Sequence, residues 1–180
     1  MQTQCDPQDN GWPKYYDSKG QPIFKEPSKI IPSTTIIIYE PFVKDLRLSW
    51  HILCHQRADN HLWGFVGGGQ EIGESLLECA KREAKEETGL DIILERLVCV
   101  DSDPAHGAVF QYPDGNVIHY TNCTFIARIA DPYATAPIMP CKESRAMAWW
   151  DIDMLPQPFS PLHFWRLTQA LKPNQHPPVR

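Results

Sequence analysis

The chain has 180 residues, enough for one domain with a sizeable apolar core. With 42% hydrophobic and 22% charged residues it has an ordinary globular composition, which excludes disordered and collagen-like readings. The formal net charge of -5 offers no electrostatic basis for sequence-independent nucleic-acid binding. No run reaches the roughly 18 apolar residues that a membrane span needs, and the start Met1-Gln2-Thr3-Gln4 has no basic segment leading into an apolar one. The expectation is a cytoplasmic protein. Its six cysteines (Cys5, Cys54, Cys79, Cys99, Cys123, Cys141) are widely spaced, form no C-x-x-C pair and mostly lie in apolar runs. Free buried thiols are therefore expected over disulfides.

Residues 1–33 are polar and interrupted by Pro7, Pro13, Pro22, Pro27 and Pro32. They read as an extended arm with at most a short hairpin around Ser18-Lys19-Gly20. The β-branched run 34–39 predicts a buried strand, and 48–55 predicts a second. Three consecutive glycines, Gly67-Gly68-Gly69, predict a loop where backbone must come close to something. Ser75 is a candidate N-cap for a helix over 76–88, which Gly89 would end. Strands are expected at 97–100, 117–127 and 146–150, with a turn at Tyr112-Pro113-Asp114-Gly115 before the second of these. A last amphipathic helix covers 162–171. Taken together this is a mixed α/β layered domain over 34–172, followed by a tail at 173–180.

On the helix over 76–88, Glu83, Glu86 and Glu87 fall at i, i+3 and i+4 and share one face. That face adjoins the apolar stripe of Leu76, Leu77, Ala80 and Ala84. Like charges at these spacings repel, more so near a low-dielectric core, and two of them sit at the negative end of the helix dipole. A charge-rich helix is also what a plain solvated face looks like. A bound divalent cation would resolve the repulsion, and oxygen ligands suit Mg²⁺, with Mn²⁺ as a substitute.

The stretch from Gly68 to Leu90 resembles the Nudix box, G-x5-E-x7-R-E-U-x-E-E-x-G-U with U apolar. Here it reads Gly68, Glu74, Arg82, Glu83, Ala84, Glu86, Glu87, Gly89 and Leu90 at the required spacing. His55-Gln56-Arg57 and Trp63-Gly64-Phe65 are similar to the family's approach to the box, and Lys142-Glu143-Ser144 to a downstream acidic segment. Val66 departs from the proline that many members carry before the glycines. The resemblance implies an α/β Nudix fold, an α/β/α sandwich with a mixed β-sheet. It implies Mg²⁺-dependent attack of water on a phosphorus of a nucleoside diphosphate linked to another group.

The family pattern puts metal ligands at Glu83, Glu86, Glu87 and the Gly68 carbonyl. Arg82 would hold a box carboxylate, and Glu74 would brace loop and helix. Glu86 or Glu83 is the first choice of general base and Glu143 the second. Arg57 could contact phosphate; Trp63 and Tyr112 could stack on a base. A nucleotide sugar such as ADP-ribose is the first expected substrate and a nucleoside triphosphate the second. A non-catalytic nucleotide-binding module and an isopentenyl diphosphate isomerase are the rival classes. An aromatic arm carrying Trp12, Tyr15 and Tyr16 could support a homodimer.

Overall fold

The computed structural model describes residues 15–16, 21–44, 46–104, 107–112, 114–131, 138 and 141–172. In chain order the elements are β1 (Tyr15–Tyr16), β2 (Pro22–Ile23), β3 (Lys29–Lys44), β4 (Arg47–Arg57), β5 (Trp63–Gly64), α1 (Leu76–Thr88), β6 (Ile92–Asp101), β7 (Val109–Gln111), β8 (Val117–Ile129), β9 (Ser144–Asp151) and α2 (Pro161–Ala170). β1 and β2 form a two-stranded ribbon. The other seven strands form one sheet in the order β5-β4-β3-β8-β6, with β7 also on β8 and β9 also on β4. β3 and β8 run parallel and all other pairs are antiparallel, so the sheet is mixed.

Strand alternation divides the core into two layers. Ile36, Ile38, Leu53, Phe125 and Ala127 face one way and meet Ala80 and Ala84 of α1. Ile37, Ile52 and Cys54 face the other way and meet Leu167 and Ala170 of α2. The sheet lies between the two helices as an α/β/α sandwich. Because β3 is covered on both faces, its sequence is a continuous β-branched run instead of an alternating one.

β3 begins at Lys29, inside the stretch expected to be an arm. Pro32 does not stop it, because β4 pairs with β3 only from Tyr39 onward. Further back, the glycine loop meets that edge, and the Gln70 N–H donates to the Pro32 carbonyl at 2.8 Å. A proline is tolerated where no ladder partner needs its missing N–H. β6 and β8 extend beyond the expected 97–100 and 117–127. Register shifts at Leu94/Arg96 and Leu97/Cys99 break the period-2 signal along β6. The 112–116 turn closes as expected, with Gly115 at φ 82° and its N–H on the Tyr112 carbonyl at 2.9 Å. Ser18, Lys19, Gly20, Trp12 and the tail lie outside the described residues. Tyr15 does not stand free: with Ile23 it packs on Val109 and Val117 of its own chain. Cys54, Cys79, Cys99, Cys123 and Cys141 are all free thiols. Among the described residues no helix is long and apolar enough to cross a membrane.

Both ends of α1 are set by its sequence. The Ser75 Oγ accepts from the Glu78 N–H at 3.2 Å, while a Glu78 carboxylate oxygen accepts from the Ser75 N–H at 2.7 Å, a reciprocal capping box. Gly89 ends the helix in the left-handed region and donates to the Lys85 carbonyl. Replacing the cap, Ser75→Ala, is expected to cost about 1 kcal/mol and to lower the melting temperature by roughly 2–4 °C for a chain of this size, measured by thermal unfolding.

His55 of β4 is buried and its Nδ1 lies 2.7 Å from the Ser144 Oγ of β9. Burial first, and the Arg57 charge second, push its pKa down to about 4. The unfolded chain therefore binds the proton more readily. The resulting stability is full above the unfolded value near 6.5 and is lost as pH falls toward 4. Between pH 7 and pH 5 the loss from this residue is about 2 kcal/mol. Urea unfolding of His55→Gln at the two pH values should show a difference smaller by about that amount, and an identical difference would rule this account out.

Candidate active site

The site is built where the glycine loop is zipped to the free edge of β3. The Thr34 N–H donates to the Gly68 carbonyl and the Ile36 N–H to the Val66 carbonyl, both at 2.9 Å. Gly67 has φ +147°, and a side chain there would collide with the Thr34 carbonyl. A Cβ on Gly68 would collide with the Glu83 carboxylate. The loop thus runs directly over the acidic face of α1.

Arg82 organises that face. Its Nε and Nη2 grip both oxygens of Glu74, at 3.0 and 2.7 Å, in the bidentate geometry that a guanidinium favours. Nη2 also donates to the Gly69 carbonyl at 3.1 Å, and Nη1 donates to Glu83 at 2.9 Å and to Glu86 at 3.2 Å. Glu74 is held down to about 2 by Arg82 and by the Glu71 N–H. Glu87 points under the loop, 7% exposed, and accepts from the Gly67 N–H at 2.9 Å. Burial pushes its pKa up to about 8; the Gly67 N–H works against this, and the Glu83 and Glu143 carboxylates reinforce it. Glu83 is also raised, by burial first and against the pull of Arg82.

Among the described residues no three acidic, histidine or cysteine side chains converge closely enough to hold a metal ion as they stand. Glu83 and Glu86 are turned to Arg82, and Glu87 to the loop backbone. The donor set nevertheless fits a hard divalent cation: three carboxylates on one helix face, two of them disfavoured as bare anions, beside the carbonyl of a glycine. Turning Glu83 and Glu86 away from Arg82 would leave Arg82 still satisfied by Glu74 and the Gly69 carbonyl.

Beside this face opens a cavity of about 310 Å³. Gly68, Glu83, Arg57, Tyr112 and Glu143, which are far apart in sequence, all line it. Glu86 stands exposed outside, and Glu87 lies behind the loop. Arg57 is clamped to Asp59 through two hydrogen bonds of 2.9 and 2.7 Å. Trp63 is not brought to the cavity. It lies edge-on to Trp150, with ring centroids 5.7 Å apart, in the core beneath α2.

The structure adds lining residues that the motif did not indicate: Ser33 and Thr35 on β3, Tyr120 and Asn122 on β8, and His163 and Arg166 on α2. Two of these leave a trace in the sequence. Asn122 is a polar residue of low strand propensity inside an apolar strand, and Arg166 interrupts the apolar face of the last helix.

A model of the NUDIX domain matches residues 32–169. The chain is 30% identical over 79 residues to the dihydroneopterin triphosphate diphosphatase of Escherichia coli K12, a stretch covering 44% of this chain and 47% of that protein. The Shigella flexneri protein of the same name matches to the same extent. The match thus spans about half the length of these curated relatives. Among solved structures, an ADP-ribose pyrophosphatase from Streptococcus suis superposes with a TM-score of 0.56 at 20% identity, covering 83% of this chain and 98% of that one. A UDP-X diphosphatase gives 0.56 at 20% identity, covering 88% and 69%. These structures share the fold, and the domain match over most of the chain, with the box glutamates in place on α1, shows that the chain belongs to the Nudix family.

Proposed function

We infer that this Nudix protein is a divalent-metal-dependent pyrophosphohydrolase that cuts a diphosphate linkage in a nucleotide or nucleotide-like substrate. The observation that carries this reading is the position of Glu83. It sits at once on the acidic face of α1, against the glycine loop and in the wall of the cavity that Arg57 and Glu143 also line. Glu83, Glu86, Glu87 and the Gly68 carbonyl would hold Mg²⁺ or Mn²⁺. The bound cation would neutralise diphosphate oxygens and make water more acidic.

The chain's own groups supply the remainder. The glycine loop leaves room for the diphosphate to approach the α1 carboxylates. Arg82, anchored by Glu74, fixes the direction in which Glu83 and Glu86 point. Arg57, held by Asp59, presents positive charge in the cavity wall for a phosphate oxygen. Glu86 or Glu83 takes the proton of the attacking water, with Glu143 as the second choice, since it lines the same cavity. Tyr112 is placed to pack on the organic part of the substrate.

A nucleoside diphosphate joined to another group, such as ADP-ribose, is the first substrate reading. A triphosphate is the second, favoured by the 79-residue likeness to a protein named as a triphosphate diphosphatase. Retention of every box glutamate argues against a purely binding module. A panel of nucleotide sugars, dinucleoside polyphosphates and triphosphates, assayed for released phosphate or monophosphate, tests the reading. Turnover is expected with Mg²⁺ or Mn²⁺ and none after chelation by EDTA. Glu86→Gln and Glu87→Gln should each lower kcat at least about tenfold. Unchanged turnover in both variants would remove these residues from the metal site, and no turnover across the panel would remove the hydrolase reading.

A further inference from the structure

The floor of the cavity carries a directed hydrogen-bond network. Ser33 and Thr35, two apart on β3, point to the α2 side of the sheet, whereas Thr34 between them points to Cys79 of α1. The Asn122 side-chain amide donates to the Ser33 Oγ and to the Thr35 Oγ1, both at 3.1 Å. The Asn122 carbonyl oxygen accepts from the Thr124 hydroxyl at 3.0 Å. The Arg166 Nη1 donates to the same Thr35 oxygen at 3.0 Å. All of these residues are at least nine-tenths buried.

Hydrogen-bond inventory fixes what such a floor can offer. A hydroxyl oxygen has two lone pairs and one proton. Thr35 accepts from both Asn122 and Arg166, so its lone pairs are used and only its proton remains. Ser33 accepts once, from Asn122, so it keeps one lone pair and its proton and can either donate or accept. Asn122 has spent both amide protons and engages its oxygen with Thr124. Arg166 has no acceptor at all. At Thr35 and Arg166 the floor can therefore only donate. Arg166 is paired with the Asp101 carboxylate at 3.6 Å, so the surface carries donors with little net charge. Such a surface suits a neutral acceptor, a ring carbonyl, better than a phosphate. Arg57 lines the same cavity and offers the charge that a phosphate needs. The rings of Phe110 and Tyr120, edge-to-face at 6.1 Å, supply an apolar wall for a flat group.

We propose that Thr35, whose lone pairs Asn122 and Arg166 occupy, selects substrates whose heterocycle presents a ring carbonyl, of the 6-oxopurine or pterin kind, over heterocycles that present an amino group there. This rests on the reading of the cavity as the substrate site. An amino edge brought to Thr35 would meet donor with donor, and burying such a mismatch is costly. The heterocycle thus enters toward α2, with its carbonyl at the Thr35 hydroxyl.

The test is binding, kept separate from turnover. Inosine and adenosine 5′-monophosphates differ at the carbonyl or amino position, carry the same phosphate, and have no diphosphate bond to cut. Isothermal titration of the full chain with each, in Mg²⁺, should give an inosine monophosphate Kd at least about tenfold lower, corresponding to about 1.4 kcal/mol. Thr35→Val should shrink that ratio mainly by weakening inosine monophosphate, and Thr35→Ser should keep it. Since Thr35→Val disturbs a buried network, Thr35→Ala decides if the valine variant does not fold. Equal or tighter binding of adenosine monophosphate, no binding of either at millimolar concentration, a ratio lost in Thr35→Ser, or a ratio untouched by Thr35→Val or Thr35→Ala would overturn the proposal. Selective inosine binding in a protein that hydrolyses nothing would instead overturn the hydrolase reading alone.

Discussion

The seam between the glycine loop and the edge of β3 is the constraint on which the rest of this molecule rests. Beyond Tyr39, toward the N-terminus of the strand, β4 no longer pairs with β3, and that exposed ladder would be left with unmet backbone groups. The loop fills it, through Thr34 to Gly68, Ile36 to Val66 and Gln70 to Pro32. Once pinned there, Gly67 has its N–H directed at the Glu87 carboxylate. The orientation of α1 about its own axis follows, because Ala80 and Ala84 must be buried against Ile36 and Ile38 at the same time. An acidic face that would be poor design on a free helix becomes a fixed wall under backbone that carries no side chains.

Arg82 holds the second half of that arrangement. Its fork couples the start of the motif, Glu74, to its centre, Glu83 and Glu86, and to the loop at Gly69. A lysine could reach one or two of these acceptors but could not hold a carboxylate in a bidentate grip while bonding a carbonyl. The strongest pairing goes to Glu74, which leaves Glu83 and Glu86 as the partners that can be given up to a cation.

How much of this could be read in the chain beforehand depends on whether the signal was local. The helix ends at Ser75 and Gly89, the glycine loop and the shared face of Glu83, Glu86 and Glu87 are fixed by neighbours within a few residues, and the sequence pattern located them. The family resemblance extended that reading to the sandwich and the mixed sheet, which the domain match and the solved folds support. The start of β3 was not legible, because Pro32 reads as a breaker until the partner of its edge is known. The full length of β6 was hidden by two irregularities in register. Trp63, close to the glycines in sequence, was expected near a base, yet packing with Trp150 holds it in the core. The cavity floor was the least legible part: Ser33, Asn122 and Arg166 come from three elements, up to 133 positions apart (166 − 33), and nothing local announces that they meet.

The alternation of β3 has a consequence for how this protein can change over time. Thr34 faces the helix that carries the acids, and its two neighbours face the opposite side of the sheet, so a single short segment serves both halves of the site. Drift within that segment risks both at once. The partners that set the polarity of the floor, Asn122 and Arg166, lie on β8 and α2 and touch none of the box residues among the contacts described. Substrate preference can therefore diverge among descendants through those two elements while the segment they act upon stays the same.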